Sequence, residues 1–165
     1  MTEIIKLNKR HMKGIVDIDI ESQHQNTMAF NKTYREKELI KRFKEKQEIF
    51  FGYKKDNELV GYVTLKPFFP GHKHCEVYWL AVKNKYQGQG IGKKLMKFIE
   101  TYAKKQGFRK ICIYTGKNMK KTRKFYEKIG YKHINDFPKY YGFAKGNTTA
   151  VMYYKELKWL KDNLQ

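Results

Sequence analysis

The stretch Leu80-Ala81-Val82-Lys83-Asn84-Lys85-Tyr86-Gln87-Gly88-Gln89-Gly90-Ile91-Gly92-Lys93-Lys94 decides how the rest of the sequence is read. An apolar run ends in three glycines at alternate positions. Ile91, Leu95, Phe98, Ile99 and Tyr102 then recur at helical spacing. A strand therefore runs into a glycine turn that opens an amphipathic helix. The first turn of a helix has backbone N–H groups without intrahelical partners and a partial positive charge. Glycines let backbone approach a ligand without a Cβ. Together these features make a cradle for a phosphate or pyrophosphate. Lys93 and Lys94 oppose the dipole of that first turn; a nearby anion, or plain exposure to solvent, accounts for them. Two other glycine motifs do not fit. A dinucleotide fingerprint needs glycine at position 93, which is Lys93. A Walker loop needs glycine at 87 and Ser or Thr at 94, where Gln87 and Lys94 stand. A glycine turn with no ligand is the bland alternative.

Working outward, residues 2–8 read as a strand, and 9–27 and 32–46 as helices. Residues 9–27 place Met12, Ile15, Val16, Ile18 and Asp19 on one mixed face. Residues 48–54 and 58–69 read as strands joined by Lys55-Asp56-Asn57, which is hairpin chemistry. Residues 74–82 form a further strand. After the glycine turn come a helix over 90–106 closed by Gly107, a strand over 110–115, and a helix over 117–129 closed by Gly130. Residues 131–135 and 148–157 are the last strands. The order β-α-α-β-β-β-α-β-α-β-β predicts an α+β class, a mixed α/β sheet with helices on both faces, as a single domain over 1–165.

Composition narrows the function. The 165 residues include 36 Lys and Arg against 16 Asp and Glu, a net charge of +20. Only Arg10, Arg35, Arg42, Arg109 and Arg123 are arginine. Nucleic acid as the main partner is disfavoured, because the basic residues punctuate helices and carry few arginines. A small polyanionic ligand is attracted all the same. No apolar run reaches the roughly 20 residues of a membrane span, and the N-terminus lacks a signal-peptide core. Cys75 and Cys112 are too few for a disulfide framework and suit a reducing compartment. The expected protein is soluble and cytoplasmic, a monomer or homodimer, with no membrane partner.

Three stretches at compatible spacing resemble the GNAT family of acyl-CoA-dependent N-acetyltransferases. Gln87-x-x-Gly90-x-Gly92 resembles its Q/R-x-x-G-x-G/A motif. Leu80-Ala81-Val82 resembles its splayed strand, and Phe125-Tyr126-Glu127-Lys128-Ile129-Gly130-Tyr131 resembles its F-Y-E-K-x-G-F signature. The likeness covers nearly the whole chain. It implies a central, mostly antiparallel sheet with a splayed strand pair. It also implies acetyl-CoA as cosubstrate, held by backbone of Leu80, Ala81 and Val82 and by the turn Gln87, Gly88, Gln89, Gly90, Ile91, Gly92 and Lys93. Such a strand edge offers unpaired N–H and C=O groups to a peptide-like arm, and an N–H aimed at the thioester oxygen stabilises an oxyanion.

The same resemblance implies Tyr126 as the acid that protonates the departing thiolate; a core tyrosine beside Phe125 is the alternative. Glu76-Val-Tyr-Trp-Leu-Ala-Val82 resembles the E-I-V-F-C-A-I strand of the histone acetyltransferase branch, which makes Glu76 the candidate base. A surface carboxylate, with a water chain taking the proton, is the competing reading. The family often has Asn seven residues before its Tyr. Met119 stands there and Asn118 one residue earlier, so Asn118 is the candidate pantetheine contact. Relatives that acetylate ribosomal-protein N-termini carry Glu at the position matched by Ile113. Tyr140 and Tyr141, with Ala150-x-Met152, resemble the ending of protein N-terminal acetyltransferases and are candidate acceptor contacts, or a packed turn after Pro138.

His72, His74, Cys75 and Cys112 lack the spacing of a closed metal site, and acyl transfer needs no metal. The reading is an enzyme that moves an acetyl group from acetyl-CoA to a primary amine by direct attack in a ternary complex. A protein or peptide N-terminus, or a lysine, is favoured over a small-molecule amine. The alternative is a non-catalytic acyl-CoA-binding module or a basic RNA-associated protein of the same fold.

Overall fold

The hairpin turn expected at Lys55-Asp56-Asn57 forms with Asp56 at φ 48° and Asn57 at φ 66°. Two central residues with positive φ match the right-handed twist of the strands they join. That hairpin sits within a computed structural model that describes residues 1–22, 32–141 and 149–158. The elements are β1 (Thr2–Lys6), α1 (Met12–Ser22), α2 (Lys32–Glu45), β2 (Ile49–Lys55), β3 (Glu58–Pro67), β4 (His74–Val82), α3 (Ile91–Lys105), β5 (Lys110–Gly116), α4 (Lys120–Lys128), β6 (Lys132–Phe137) and β7 (Ala150–Glu156). The strands hydrogen-bond in the order β1-β2-β3-β4-β5-β7-β6. The pairs β1–β2, β2–β3, β5–β7 and β6–β7 are antiparallel, and β4–β5 is parallel. The α+β mixed sheet is therefore as expected, and so is the element order.

The chain divides into two compact units. One is Met1–Pro67 with Tyr78–Ile99; the other is Phe68–Val77 with the chain from Glu100 onward. Strand β4 and helix α3 contribute residues to each.

In the first unit α1 packs on α2 and on β3. Ile15, Val16 and Ile18 of α1 join Leu7, Leu39, Phe50, Tyr62 and Ala81 in one core cluster. Asp19 shares that buried face, as the mixed pattern implies. Its Oδ1 accepts hydrogen bonds from the Tyr62 hydroxyl at 2.6 Å and from Trp79 Nε1 at 2.9 Å. Burying a carboxylate is costly unless it is hydrogen-bonded, and two donors meet that condition. Arg42 of α2 is also buried. Its Nε donates to Glu48 Oε1 at 2.8 Å, and its guanidinium lies over the Phe50 ring. Helix α1 starts later than expected because Asn8 nucleates a 3-10 turn over Lys9–His11. Asn8 Oδ1 accepts from the Arg10 N–H at 3.0 Å and the Asn8 N–H donates to His11 Nδ1 at 3.1 Å. The expected helical residues 23–27 lie outside the described residues.

In the second unit β5 is flanked on one side by β7, from Lys110↔Glu156 to Gly116↔Ala150. On the other side its parallel ladder with β4 covers three pairs, His74↔Lys110, Cys75↔Ile111 and Glu76↔Cys112. Helix α4 begins at Lys120, three residues later than expected. The Met119 N–H instead donates to Gly116 O at 3.0 Å, which makes 117–119 a turn, and the cap residue Met119 offers no side-chain acceptor. The end of α4 explains its sequence. Gly130 takes φ 90°, its N–H donates to Glu127 O at 3.0 Å, and the Tyr131 N–H donates to Tyr126 O at 3.0 Å. This is a Schellman closure, and it folds Tyr131 back beside Tyr126, ring centroids 6.0 Å apart. Gly107 closes α3 in the same way at φ 88°.

Candidate active site

The glycine turn lies in the first unit. Beyond Val82 the chain makes a 3-10 turn over Asn84–Tyr86, then the exposed segment 87–90, then α3. Glu58 at the start of β3 holds this approach. Its carboxylate accepts from the Tyr86 hydroxyl at 2.6 Å and from Lys83 Nζ at 2.9 Å, and Lys85 Nζ lies 3.3 Å away. The Tyr86 hydrogen bond, then that of Lys83, lowers the Glu58 carboxyl to about 2. Gly61 lets the approach lie close to β3, since a Cβ there would meet Ala81 O at 3.1 Å, Val82 Cγ2 at 3.2 Å and Ile91 Cγ2 at 3.4 Å.

Within the turn, Gly88 and Gly90 take φ 75° and 78°, with open space where a Cβ would stand. The Lys94 N–H donates to Gly90 O at 3.0 Å and so closes the first helical bond. Gly90 has no side chain to cap the amides that follow it. The N–H groups of Ile91, Gly92 and Lys93 thus emerge at the helix N-terminus without intrahelical partners. Lys93 is exposed, while Lys94 Nζ approaches the Tyr53 hydroxyl at 3.3 Å. Gln87 and Gln89 act inside the turn. Gln87 Nε2 donates to Val82 O and to Asn84 Oδ1, each at 3.0 Å, and Gln89 Nε2 donates to Lys85 O at 3.1 Å. Their side chains brace the turn.

The other candidates lie in the second unit. Tyr126 is 6% exposed, among the rings of Phe125, Tyr131 and Tyr153. Its hydroxyl makes no hydrogen bond among the described residues. Burial, then the charge of Tyr141, pushes its titration well above that of an ordinary phenol. Tyr126 is therefore held in its proton-bearing form across the neutral range. Glu76 is 5% exposed in the middle of β4, opposite Cys112. It is a buried carboxylate, and the surface alternative does not describe it.

Ile113 is buried, and strand alternation turns it to the face of β5 opposite Cys112. The residue that follows Cys112 on the Glu76 side is Tyr114. Sequence reasoning missed it, though its two-residue spacing from Cys112 was the available signal. Tyr140 stacks on Tyr114 with centroids 5.3 Å apart and 5° between planes, and Tyr141 meets Tyr140 edge-on at 5.2 Å. Asn118 is exposed in the turn before α4, its Oδ1 2.8 Å from where a Cβ on Gly116 would lie. Cys75 and Cys112 are buried thiols. Burial pushes Cys75 up to about 12 and Cys112 to about 11. Among the described residues no group of three or more His, Cys, Asp or Glu is placed to hold a metal, and no helix is long and apolar enough to cross a membrane.

The sequence matches the model of the acetyltransferase (GNAT) family over residues 16–131, a span that contains β4, the glycine turn, α3, β5 and α4. The chain belongs to the GNAT family. Over 76 residues, 46% of this chain and 36% of the other, it is 36% identical to a Xenopus tropicalis protein named Probable N-acetyltransferase 14. The chain thus spans about a third of the length of the curated relatives it matches. Among solved GNAT structures it resembles the ribosomal-protein-S18-alanine N-acetyltransferase of Escherichia coli, with TM-score 0.78, 18% identity, and coverage of 100% of this chain and 99% of that one. It also resembles the PaiA N-acetyltransferase of Thermoplasma acidophilum in complex with coenzyme A. There the TM-score is 0.71 at 20% identity, over 94% of this chain and 99% of that one. At these identities the likeness to solved GNAT structures is one of fold.

Proposed function

We propose that residues 1–165 form one catalytic domain that transfers an acetyl group from acetyl-CoA to a primary amine by direct attack. Membership of the acetyltransferase family supports the reaction class, and the coenzyme A complex of the Thermoplasma acidophilum neighbour supports the cosubstrate. The observation that carries the reading is the exposed glycine turn. Gly88 and Gly90 at positive φ bring unpartnered amides of residues 91–93 to a helix N-terminus, which suits a pyrophosphate. Backbone of Leu80, Ala81 and Val82 would then receive the pantetheine arm. The end of the β4–β5 ladder at Glu76 supports this, because backbone beyond it has no β5 partner. Asn118 would add a contact to the arm.

The amine arrives as an ammonium and must lose a proton, while the thiolate must gain one. Glu76 is the proposed base, directly or through a water. Tyr126 is the proposed acid. Its buried, proton-bearing hydroxyl has no competing acceptor among the described residues. Tyr140 and Tyr141 would line the acceptor. We place the favoured acceptor among protein or peptide N-termini and lysines, and the working location in the cytoplasm.

The test is thiol release from acetyl-CoA over a panel of peptides, amino acids, polyamines and aminoglycosides. The reading expects saturable release with at least one primary amine. Binding of acetyl-CoA with no release across the panel would instead favour a non-catalytic module.

A further inference from the structure

The Tyr126 hydroxyl has no hydrogen bond among the described residues, so its position depends on the helix that carries it. Helix α4 has nine residues and no side-chain cap at its start. A helix that short is marginal alone and takes its setting from tertiary contacts.

Tyr153 supplies such contacts. It lies on β7, paired with Ile113 of β5 on one side and His133 of β6 on the other, and it is fully buried. Arg123 Nε donates to its hydroxyl oxygen at 3.1 Å, and the hydroxyl donates to Glu127 Oε1 at 2.7 Å. Arg123 and Glu127 stand one turn apart on one face of α4. Tyr126 falls between them in sequence, its ring centroid 6.3 Å from that of Tyr153. Arg123 Nη1 also donates to Lys117 O at 3.2 Å, which ties the turn before α4 to the same point. One hydroxyl on a doubly paired strand thus grips the helix at two places along its axis.

A phenylalanine would fill the same core. The hydroxyl adds orientation. At the roughly 5–6 Å outer radius of a helix, a rotation of about 10° moves a side-chain tip by about 1 Å. A displacement of that size costs up to about a hundredfold in rate when it reaches a reacting group.

We propose that Tyr153 is a positioning residue: through Arg123 and Glu127 its hydroxyl fixes the rotation of α4 and so aims the Tyr126 hydroxyl at the departing thiolate. This rests on the reading of Tyr126 as the acid, and Tyr153 acts through Tyr126 alone.

A double-mutant cycle tests it. Thiol release from acetyl-CoA is measured, with the best amine of the panel, in the parent, Tyr153→Phe, Tyr126→Phe and the double variant. Tyr153→Phe keeps the buried ring and removes only the hydroxyl. Its kcat should fall about three- to thirtyfold, with KM for acetyl-CoA within about twofold of the parent. In the Tyr126→Phe background the same change should lower kcat no further, because no hydroxyl remains to aim. Arg123→Met, which keeps the aliphatic stem, should reproduce both results. Equal falls in kcat in the two backgrounds would overturn the proposal and leave Tyr153 a structural residue. An unchanged kcat in Tyr153→Phe, with Tyr126→Phe impaired, would also overturn it and spare the acid reading. Full turnover in Tyr126→Phe would instead overturn the acid reading, and this proposal with it.

Discussion

The Gln87 carboxamide nitrogen lies 3.0 Å from the Val82 carbonyl oxygen and ties the end of β4 to the turn that opens α3. This gives the first position of the Gln-x-x-Gly-x-Gly pattern a mechanical purpose. The side chain sets the path of the backbone, and the amides that follow are those proposed to meet the ligand. Gln87→Ala should lower acetyl-CoA affinity by about two- to tenfold, the usual worth of one hydrogen bond. The variant should fold normally, because residue 87 is exposed. Isothermal calorimetry checks this, and unchanged affinity would show that the turn holds its shape without Gln87.

Tyr126 tests the acid. Tyr126→Phe keeps the ring among Phe125, Tyr131 and Tyr153 and removes only the hydroxyl. Turnover should fall about 10- to 1,000-fold, within the range of general acid catalysis, with acetyl-CoA binding retained. Full turnover would leave Tyr126 as a packing residue.

Glu76 tests the base. An unaided amine of pKa near ~10 is almost wholly protonated at neutral pH. Without a base, turnover depends on the minority of neutral amine. The rate of Glu76→Gln should climb about tenfold per pH unit until the amine titrates, while the parent levels off earlier. Identical pH–rate profiles would assign the proton to a water chain instead.

Glu58 carries a pH dependence of stability. Its folded carboxyl titrates at about 2, lowered first by the Tyr86 hydrogen bond and then by Lys83. A group lowered in the folded state stabilises it above the unfolded carboxyl value and loses that contribution as pH falls toward the folded one. Glu58→Gln should therefore be less stable than the parent at neutral pH. The gap should narrow between about pH 4.5 and pH 2. Urea denaturation at several pH values measures it; a gap that does not change with pH would show that Glu58 acts through packing.

Much of the fold was legible because its signals are local. Apolar runs bounded by turn residues, the helical spacing of Ile91, Leu95, Phe98 and Ile99, and the closures at Gly107 and Gly130 depend on near neighbours in sequence. The buried side of α1 was legible too, Asp19 included. What the sequence left open depends on distant partners. Arg42 reads as one of five arginines on a strongly basic chain, and its burial against Glu48 and Phe50 depends on residues of the next strand and turn. Glu76 fits a surface carboxylate equally well until β5 places Cys112 beside it. Tyr114 belongs to no motif, and its stacking on Tyr140 joins residues 26 apart in the chain. The start of α4 shifted because Gly116 and Met119 form a turn that leaves no capping side chain.

The central claim is that backbone amides of the glycine turn hold the cosubstrate. Backbone amide NMR during titration with acetyl-CoA tests it directly. The amide signals of Gly88, Gln89, Gly90, Ile91, Gly92 and Lys93 should move most and saturate together. Gly90→Val, strained at φ 78° in the turn that positions these amides, should abolish those shifts. Saturable binding that leaves residues 88–93 unmoved, or that persists undiminished in Gly90→Val, would contradict the account.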